Sequence, residues 1–171
     1  MKKFICILLL IISMGSMYYF SSQDGTTSSA QSGKVVEIIQ EVVNEAREKI
    51  TLTDDRLIDI KDRVLGKLRT YSKVYLVRKA AHFGLYALIA GFMMLLIYLF
   101  SKKVIFSGVF SFIITFMYAS YDEIRQLSVE GRSGSITDVL IDSSGALTAI
   151  IILAMILLTG KGLGFVFKRK S

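Results

Sequence analysis

Four long apolar stretches dominate this 171-residue sequence, and they constrain its fold more than any other feature. Each has about 20 residues, enough at helical rise to cross a hydrocarbon core of roughly 30 Å. Backbone N–H and C=O groups inside a bilayer must be paired within the protein, so each stretch should be a helix. The sequence therefore predicts an all-α integral membrane four-helix bundle. The predicted spans are Phe4–Phe20, Ala80–Phe100, Val104–Tyr121 and Val139–Thr159.

Basic residues flank these spans in three short segments that contain no acidic residue. The segments contain Lys2, Lys3, Lys102, Lys103, Lys161, Lys168, Arg169 and Lys170. With four spans all three segments lie on one side, which the positive-inside rule makes cytoplasmic. We therefore expect a multi-pass protein of the bacterial cell membrane with both termini in the cytoplasm. Most of the net charge of +7 lies in these flanks, so the lipid bilayer, and not nucleic acid, is the expected partner.

The spans divide the chain into four predicted parts. These are an N-terminal anchor (1–20), an external segment (21–79), a three-span core (80–159) and a basic cytoplasmic tail (160–171). The first span has an alternative interpretation as a cleaved signal peptide. Its end lacks a small-x-small cleavage pattern, which favours its retention as an anchor.

The external segment has a loop-like start and then two helical patterns. Residues 21–33 are rich in Ser, Thr, Gln and Gly and are predicted to be a loop. Apolar residues then recur at three- and four-residue steps over about 34–50 and again after Thr51-x-x-Asp54, which predicts two amphipathic helices. The helices would pack against each other or against the outer ends of the spans. The alternative is a helix pair in the headgroup layer.

Ionisable residues stand at the outer ends of three spans, although each costs about 2.5–3.5 kcal/mol at the bilayer centre. One group lies at the start of the second span, one at the end of the third, and one around the start of the fourth. Because the predicted topology brings them to the same external face, they should share one polar pocket. The candidate ligand-binding residues are Arg78, His82, Tyr86, Asp122, Glu123, Gln126, Arg132, Ser133, Ser135, Asp138 and Asp142.

Two kinds of chemistry suit such a pocket. The stretch 131–137 contains Arg132 and leads into a helix N-terminus, a favourable position for phosphate or carboxylate. Alternatively, His82 with Asp122 or Glu123 would form an acid/base pair, and these three are the candidate catalytic residues.

The composition gives little support to a metal site or a cofactor. The chain has one His and one Cys, which excludes a cage of several imidazoles and a Cys-rich zinc site. A metal ion held by His82, Asp122, Glu123 and Asp138 stays an alternative, but these residues match no spacing motif. We therefore predict no metal and no cofactor.

The polar groups also carry a family resemblance. The matching pieces are Arg78-Lys79-x-x-His82-Phe83-x-x-Tyr86, Asp122-Glu123-x-x-Gln126 and Gly131-Arg132-Ser133-Gly134-Ser135-x-x-Asp138, followed by Gly145. This ordered set, over about residues 75–159, resembles the VanZ-like family of bacterial membrane proteins. The early Tyr-Phe-Ser-Ser-Gln is similar to Gram-positive members. One departure is Asp142, where the family pattern is expected to have Asn.

The family is named for a teicoplanin-resistance protein, so the resemblance implies an envelope protein associated with antibiotic resistance in at least one member. It implies no particular reaction. Three functions stay open: a non-catalytic protein that binds an anionic lipid or a lipid-linked peptidoglycan precursor, an enzyme acting on a lipid-linked substrate, and a small transporter or channel subunit. The oligomeric state is not predicted.

Overall fold

The structure, a computed structural model, describes residues 1–49 and 73–168, and these form five α-helices without strands. All except α2 are long and apolar enough to cross a membrane. The predicted all-α membrane class is therefore confirmed for the described residues. The helices are α1 (Lys2–Ser22), α2 (Gly25–Lys49), α3 (Lys73–Ser101), α4 (Val104–Gln126) and α5 (Ile136–Lys168). The chain divides into two compact units. The first is residues 24–81, and the second joins residues 1–23 to the chain from His82 onward.

The second of these units contains the transmembrane bundle, in which α4 and α5 pack antiparallel. Val104 at the start of α4 lies in the same buried cluster as Ile150 in the second half of α5. The Lys3 ammonium lies 3.9 Å from the centroid of the Phe100 ring, so α1 begins where α3 ends. Two of the three basic flanks therefore share one end of the bundle, as the positive-inside argument requires.

Small residues let the transmembrane helices approach closely. Four of them recur at four-residue steps along α4 and are buried: Ser107, Ser111, Thr115 and Ala119. The Ser111 hydroxyl donates a hydrogen bond to the Ala90 carbonyl of α3 at 2.7 Å. On α5, Gly145 lies so close to α3 that an added Cβ would overlap the Phe83 carbonyl. Gly145 thus lies in a close packing surface between α3 and α5.

Large apolar side chains cover the outside of the same helices. Examples, one from each helix, are Ile11, Leu88, Ile113 and Ile151, all exposed. This arrangement, with apolar groups outward and small or polar groups inward, suits a bundle surrounded by lipid.

The prediction of a loop over residues 21–33 is wrong for most of its length. Helix α1 extends to Ser22 and α2 begins at Gly25. The reason is a helix cap: the Asp24 carboxylate accepts hydrogen bonds from the Thr27 N–H at 2.8 Å and from the Thr26 hydroxyl. These hydrogen bonds hold the pKa of Asp24 well below its ordinary value.

Helix α2 continues through the first predicted amphipathic stretch to Lys49. The second predicted helix, with its Thr51-x-x-Asp54 cap, lies outside the described residues. Helix α3 begins at Lys73, seven residues before the predicted second span, because helical backbone continues from the membrane span into its basic flank.

Candidate functional site

The bundle end opposite Lys3 and Phe100 collects the polar residues of the spans. Helices α1 and α4 end there, α5 begins there, and the part of α3 that belongs to the bundle starts there at His82. Six of the candidate residues are buried at this end: His82, Tyr86, Asp122, Glu123, Gln126 and Asp142. Ionisable groups in a transmembrane segment are costly unless they are paired or have a function. Their partners therefore decide what this site can do.

Asp122 has a full set of hydrogen-bond donors. It accepts from the Ser21 hydroxyl at 2.7 Å, from the Arg125 guanidinium at 3.0 Å and from the Gln126 amide at 3.1 Å. Arg125 also donates to the Ser22 hydroxyl at 2.7 Å. Asp122 is therefore charge-balanced, and the same contacts attach the end of α1 to α4.

Three of these residues are missing from the candidate set derived from the sequence. Ser21, Ser22 and Arg125 lie within the two short pieces Tyr-Phe-Ser-Ser-Gln and Asp-Glu-Ile-Arg-Gln. Both pieces belong to the family resemblance, and this is the sequence signal that could have identified the three residues as part of the site. Neither piece shows that α1 reaches α4 at this level.

Gln126 links the acidic residues to Arg132. Its amide nitrogen donates to Glu123 Oε1 and Asp122 Oδ2, each at 3.1 Å, and its amide oxygen accepts from Arg132 Nη1 at 2.9 Å. Arg132 also donates to the Phe20 carbonyl at 3.2 Å. Asp122 and Glu123 share a helix face with Gln126, because α4 continues through all three residues.

The loop before α5 is arranged around Glu123. The Ser135 N–H donates to Glu123 Oε2 at 2.9 Å, and a Cβ at Gly134 would overlap the Glu123 carbonyl. The Thr137 N–H donates to the Ser135 hydroxyl at 3.2 Å. The sequence predicted an external phosphate or carboxylate at the stretch 131–137, to which these two amides belong. The protein's own carboxylate and hydroxyl occupy them instead, because Glu123 is the anion at this helix N-terminus.

Other predicted residues of this loop lie nearer the surface. Ser133 is exposed, and Arg132 and Asp138 are half-buried. Asp138 lies in the first turn of α5, where a negative charge is favourable. Arg78 belongs to the other structural unit, where its guanidinium lies 5.9 Å from the Tyr75 ring centroid.

His82 faces Asp142, with 3.5 Å between Nδ1 and Oδ1. This distance suits an ion pair but is longer than an ordinary hydrogen bond. The sequence had favoured Asp122 or Glu123 as the carboxylate that orients His82. Asp142 takes that position because Gly145, one turn further along α5, lets the helix touch Phe83 beside His82.

His82, Glu123 and Asp142 form a cluster, which we call the acid–imidazole cluster. One ligand atom from each lies within 4.8 Å of the other two, and all three residues are buried. Helices α3, α4 and α5 each supply one of them. Tyr86, one turn beyond His82, is fully buried, and its hydroxyl has no hydrogen-bond partner among the described residues. The arrangement offers three ligand or proton-accepting atoms next to a polar hydroxyl.

Comparisons with known proteins agree with the motif pattern. The VanZ/LLP1 family model matches residues 4–158. This match is longer than the predicted resemblance over 75–159 and includes α1, which contributes Ser21 and Ser22 to the polar end. Searches of curated proteins and of solved structures gave no match. Since the family match covers most of its length, this chain belongs to the VanZ/LLP1 family.

Proposed function

We propose that this VanZ/LLP1 protein binds the anionic headgroup of a membrane lipid or of a lipid-linked peptidoglycan precursor at the polar end of its bundle, on the extracytoplasmic face. The observation that carries the proposal is the fixed position of Arg132. Its guanidinium is half-buried and bonded to Gln126, which two buried carboxylates hold in turn. A guanidinium oriented in this way suits a phosphate or carboxylate group.

The surrounding charges support the same role. Arg125 neutralises Asp122 and fixes its orientation, so this acid repels an incoming anion less than an unpaired one would. Arg132 lies toward the surface while the acidic side chains are buried beneath it. An anion that approaches from the headgroup layer would therefore reach this guanidinium more easily than the buried carboxylates of Asp122, Glu123 and Asp142. If the bound group belongs to a wall precursor, the protein would alter access of a glycopeptide such as teicoplanin to that precursor.

The test compares anionic-lipid binding by the full-length protein and two charge variants. Retention of phosphatidylglycerol is measured by native mass spectrometry in mild detergent. We expect Arg132→Gln to weaken this retention by about 10-fold or more, because the variant loses a charged hydrogen bond to the headgroup. Lys103→Gln removes an exposed cation at the opposite end and is the matched control. Equal lipid retention by wild type and Arg132→Gln would contradict the proposal.

Catalysis on a lipid-linked substrate is the second candidate, favoured by the 3.5 Å contact between His82 and Asp142. In that function His82 would transfer the proton and Arg132 would stabilise developing negative charge. His82→Gln keeps hydrogen bonding but removes proton transfer near neutral pH. If the purified protein converts a lipid-linked precursor and His82→Gln stops conversion without weakening binding, the enzyme function is supported. If the wild type binds the precursor without converting it, only the binding function is supported.

A further inference from the structure

We infer that His82, Glu123 and Asp142 form a binding site for a divalent transition-metal ion of the Zn²⁺ or Mn²⁺ class. One imidazole nitrogen and two carboxylate oxygens are ligands that such ions accept. The inference rests on this cluster and does not depend on headgroup binding by Arg132. The set of metal ligands differs from the alternative considered from the sequence: it contains Asp142 and does not contain Asp122 or Asp138.

The separation of the ligand atoms agrees with a shared ion. Zinc bonds of about 2.0–2.2 Å place neighbouring tetrahedral ligand atoms about 3.4 Å apart. His82 Nδ1 and Asp142 Oδ1 are 3.5 Å apart. One carboxylate oxygen of Glu123 lies within 4.8 Å of one ligand atom each of His82 and Asp142. A shift of the Glu123 carboxylate by about 1 Å would bring all three atoms to bonding distance of one ion.

Asp142 provides a second, independent observation. Its side chain is fully buried, yet neither carboxylate oxygen has a hydrogen-bond partner among the described residues. Buried carboxylates are normally paired, hydrogen-bonded or bound to a metal. Asp122, equally buried on α4, has three donors. Apart from the 3.5 Å contact with His82, Asp142 has no partner among the described residues, and the contrast points to Asp142 as the acid that a bound cation would pair.

The hydrogen bonds around Glu123 suit a metal ligand. Gln126 and the Ser135 N–H each donate to one of its oxygens, which orients the carboxylate and leaves further lone pairs for an ion. Partners of this kind fix metal ligands and raise metal affinity. With a neutral imidazole, Glu123 and Asp142 leave two negative charges in a buried place. One divalent cation would balance both.

Three protein ligands leave a coordination position open for water or for an oxygen of a bound anion. Arg132 is joined to Glu123 through Gln126, so an anion held by Arg132 would approach the same cluster. When the ion is bound, His82 is a ligand and does not carry protons. The metal site and the His82 acid/base function are therefore alternatives that one experiment separates.

The experiment measures metal content of the full-length protein in mild detergent. The protein is stripped with EDTA, incubated with Zn²⁺ or Mn²⁺, desalted and analysed by inductively coupled plasma mass spectrometry. We expect about one ion per chain in the wild type, and a loss of at least 10-fold in affinity for Asp142→Asn and for His82→Gln. Glu130→Gln removes an exposed carboxylate from the neighbouring loop and should keep the metal.

Thermal unfolding provides the check on folding. A bound ion should raise the melting temperature of the wild type and of Glu130→Gln, but not that of Asp142→Asn. Absence of stoichiometric metal in the wild type, or equal metal content in a folded Asp142→Asn variant, would overturn the inference. Arg132→Gln should lose lipid binding and keep the metal, so failure of the metal site and failure of headgroup binding give different results.

Discussion

Asp122 and Asp142 are both fully buried aspartates at the same end of the bundle, yet their surroundings differ. Asp122 lies toward α1, where Ser21 and Arg125 complete its hydrogen bonds. Asp142 lies toward α3 and faces His82. Spacing along the sequence identified both as candidates. It did not show which partner each would meet, because that depends on how closely two helices approach.

Loss of the Asp122 carboxylate should destabilise the fold. Asp122→Asn removes the charge that balances Arg125 and replaces one of its two accepting oxygens by an NH₂ donor, so Ser21, Arg125 and Gln126 can no longer all donate to it. We expect a loss of about 3 kcal/mol in the free energy of unfolding, as for other buried ion pairs that lose one partner. The measurement is denaturant unfolding in detergent micelles, with Glu130→Gln as the control. A stability equal to wild type would show that the Asp122 carboxylate, with its contacts to Ser21 and Arg125, does not hold α1 against α4.

Gly145 should tolerate no side chain. A Cβ there would overlap the Phe83 carbonyl, whereas a Cβ at Gly84, one residue further along α3, would meet nothing within 4 Å. We therefore expect Gly145→Ala to lower the free energy of unfolding by about 1–3 kcal/mol. Gly84→Ala should be neutral or stabilising, because Ala is the better helix former. Equal melting temperatures for the two variants would contradict the close packing of α3 and α5.

At the scale of the helices, the apolar spans were predictable and the connection after α1 was not. Composition alone located four spans, since a bilayer demands long apolar helices. The Ser- and Thr-rich stretch after Ser22 has the composition of a loop. It is helical because Asp24 caps α2 and accepts the Thr27 N–H of its first turn. A cap of this kind offsets weak helix propensity.

Helix α1 should remain in the mature protein. Its last turn supplies Ser21 to Asp122 and Ser22 to Arg125, and Tyr118 of α4 donates to the Met14 carbonyl at 3.1 Å. Removal of α1 would leave Asp122 without one donor. We expect the intact mass of the membrane-extracted protein to include residues 1–22. A mass that begins after Ser22 would show that the span is a cleaved signal peptide.

At the scale of the whole molecule, the sequence predicted which residues converge but not how they are arranged. His82, the Asp122–Glu123 pair and Asp142 were nominated because three spans place them at one membrane level. That argument needs only span order and length. The pairing of His82 with Asp142 and the use of the Ser135 N–H by Glu123 depend on packing at Gly145 and Gly134. Packing of that kind cannot be obtained from periodicity.

The orientation of the bundle in the membrane is predicted from its basic flanks and is open to direct test. Cysteines are introduced singly at Ser133 and Ser101 in a Cys6→Ser background. A membrane-impermeant maleimide should label position 133 in intact cells and position 101 only after permeabilisation, because the positive-inside rule places Ser101 in the cytoplasm. The reverse pattern would place the polar end in the cytoplasm and exclude the proposed extracytoplasmic ligand.

The central claim is that ionisable residues from separate spans act together in one buried site, and a double-mutant cycle on His82 and Asp142 tests it most directly. Unfolding free energies are measured in detergent with EDTA for wild type, His82→Gln, Asp142→Asn and the double variant. We predict a coupling energy of about 0.5–3 kcal/mol, as for residues in contact. Single-variant effects that add to within about 0.3 kcal/mol would contradict the claim.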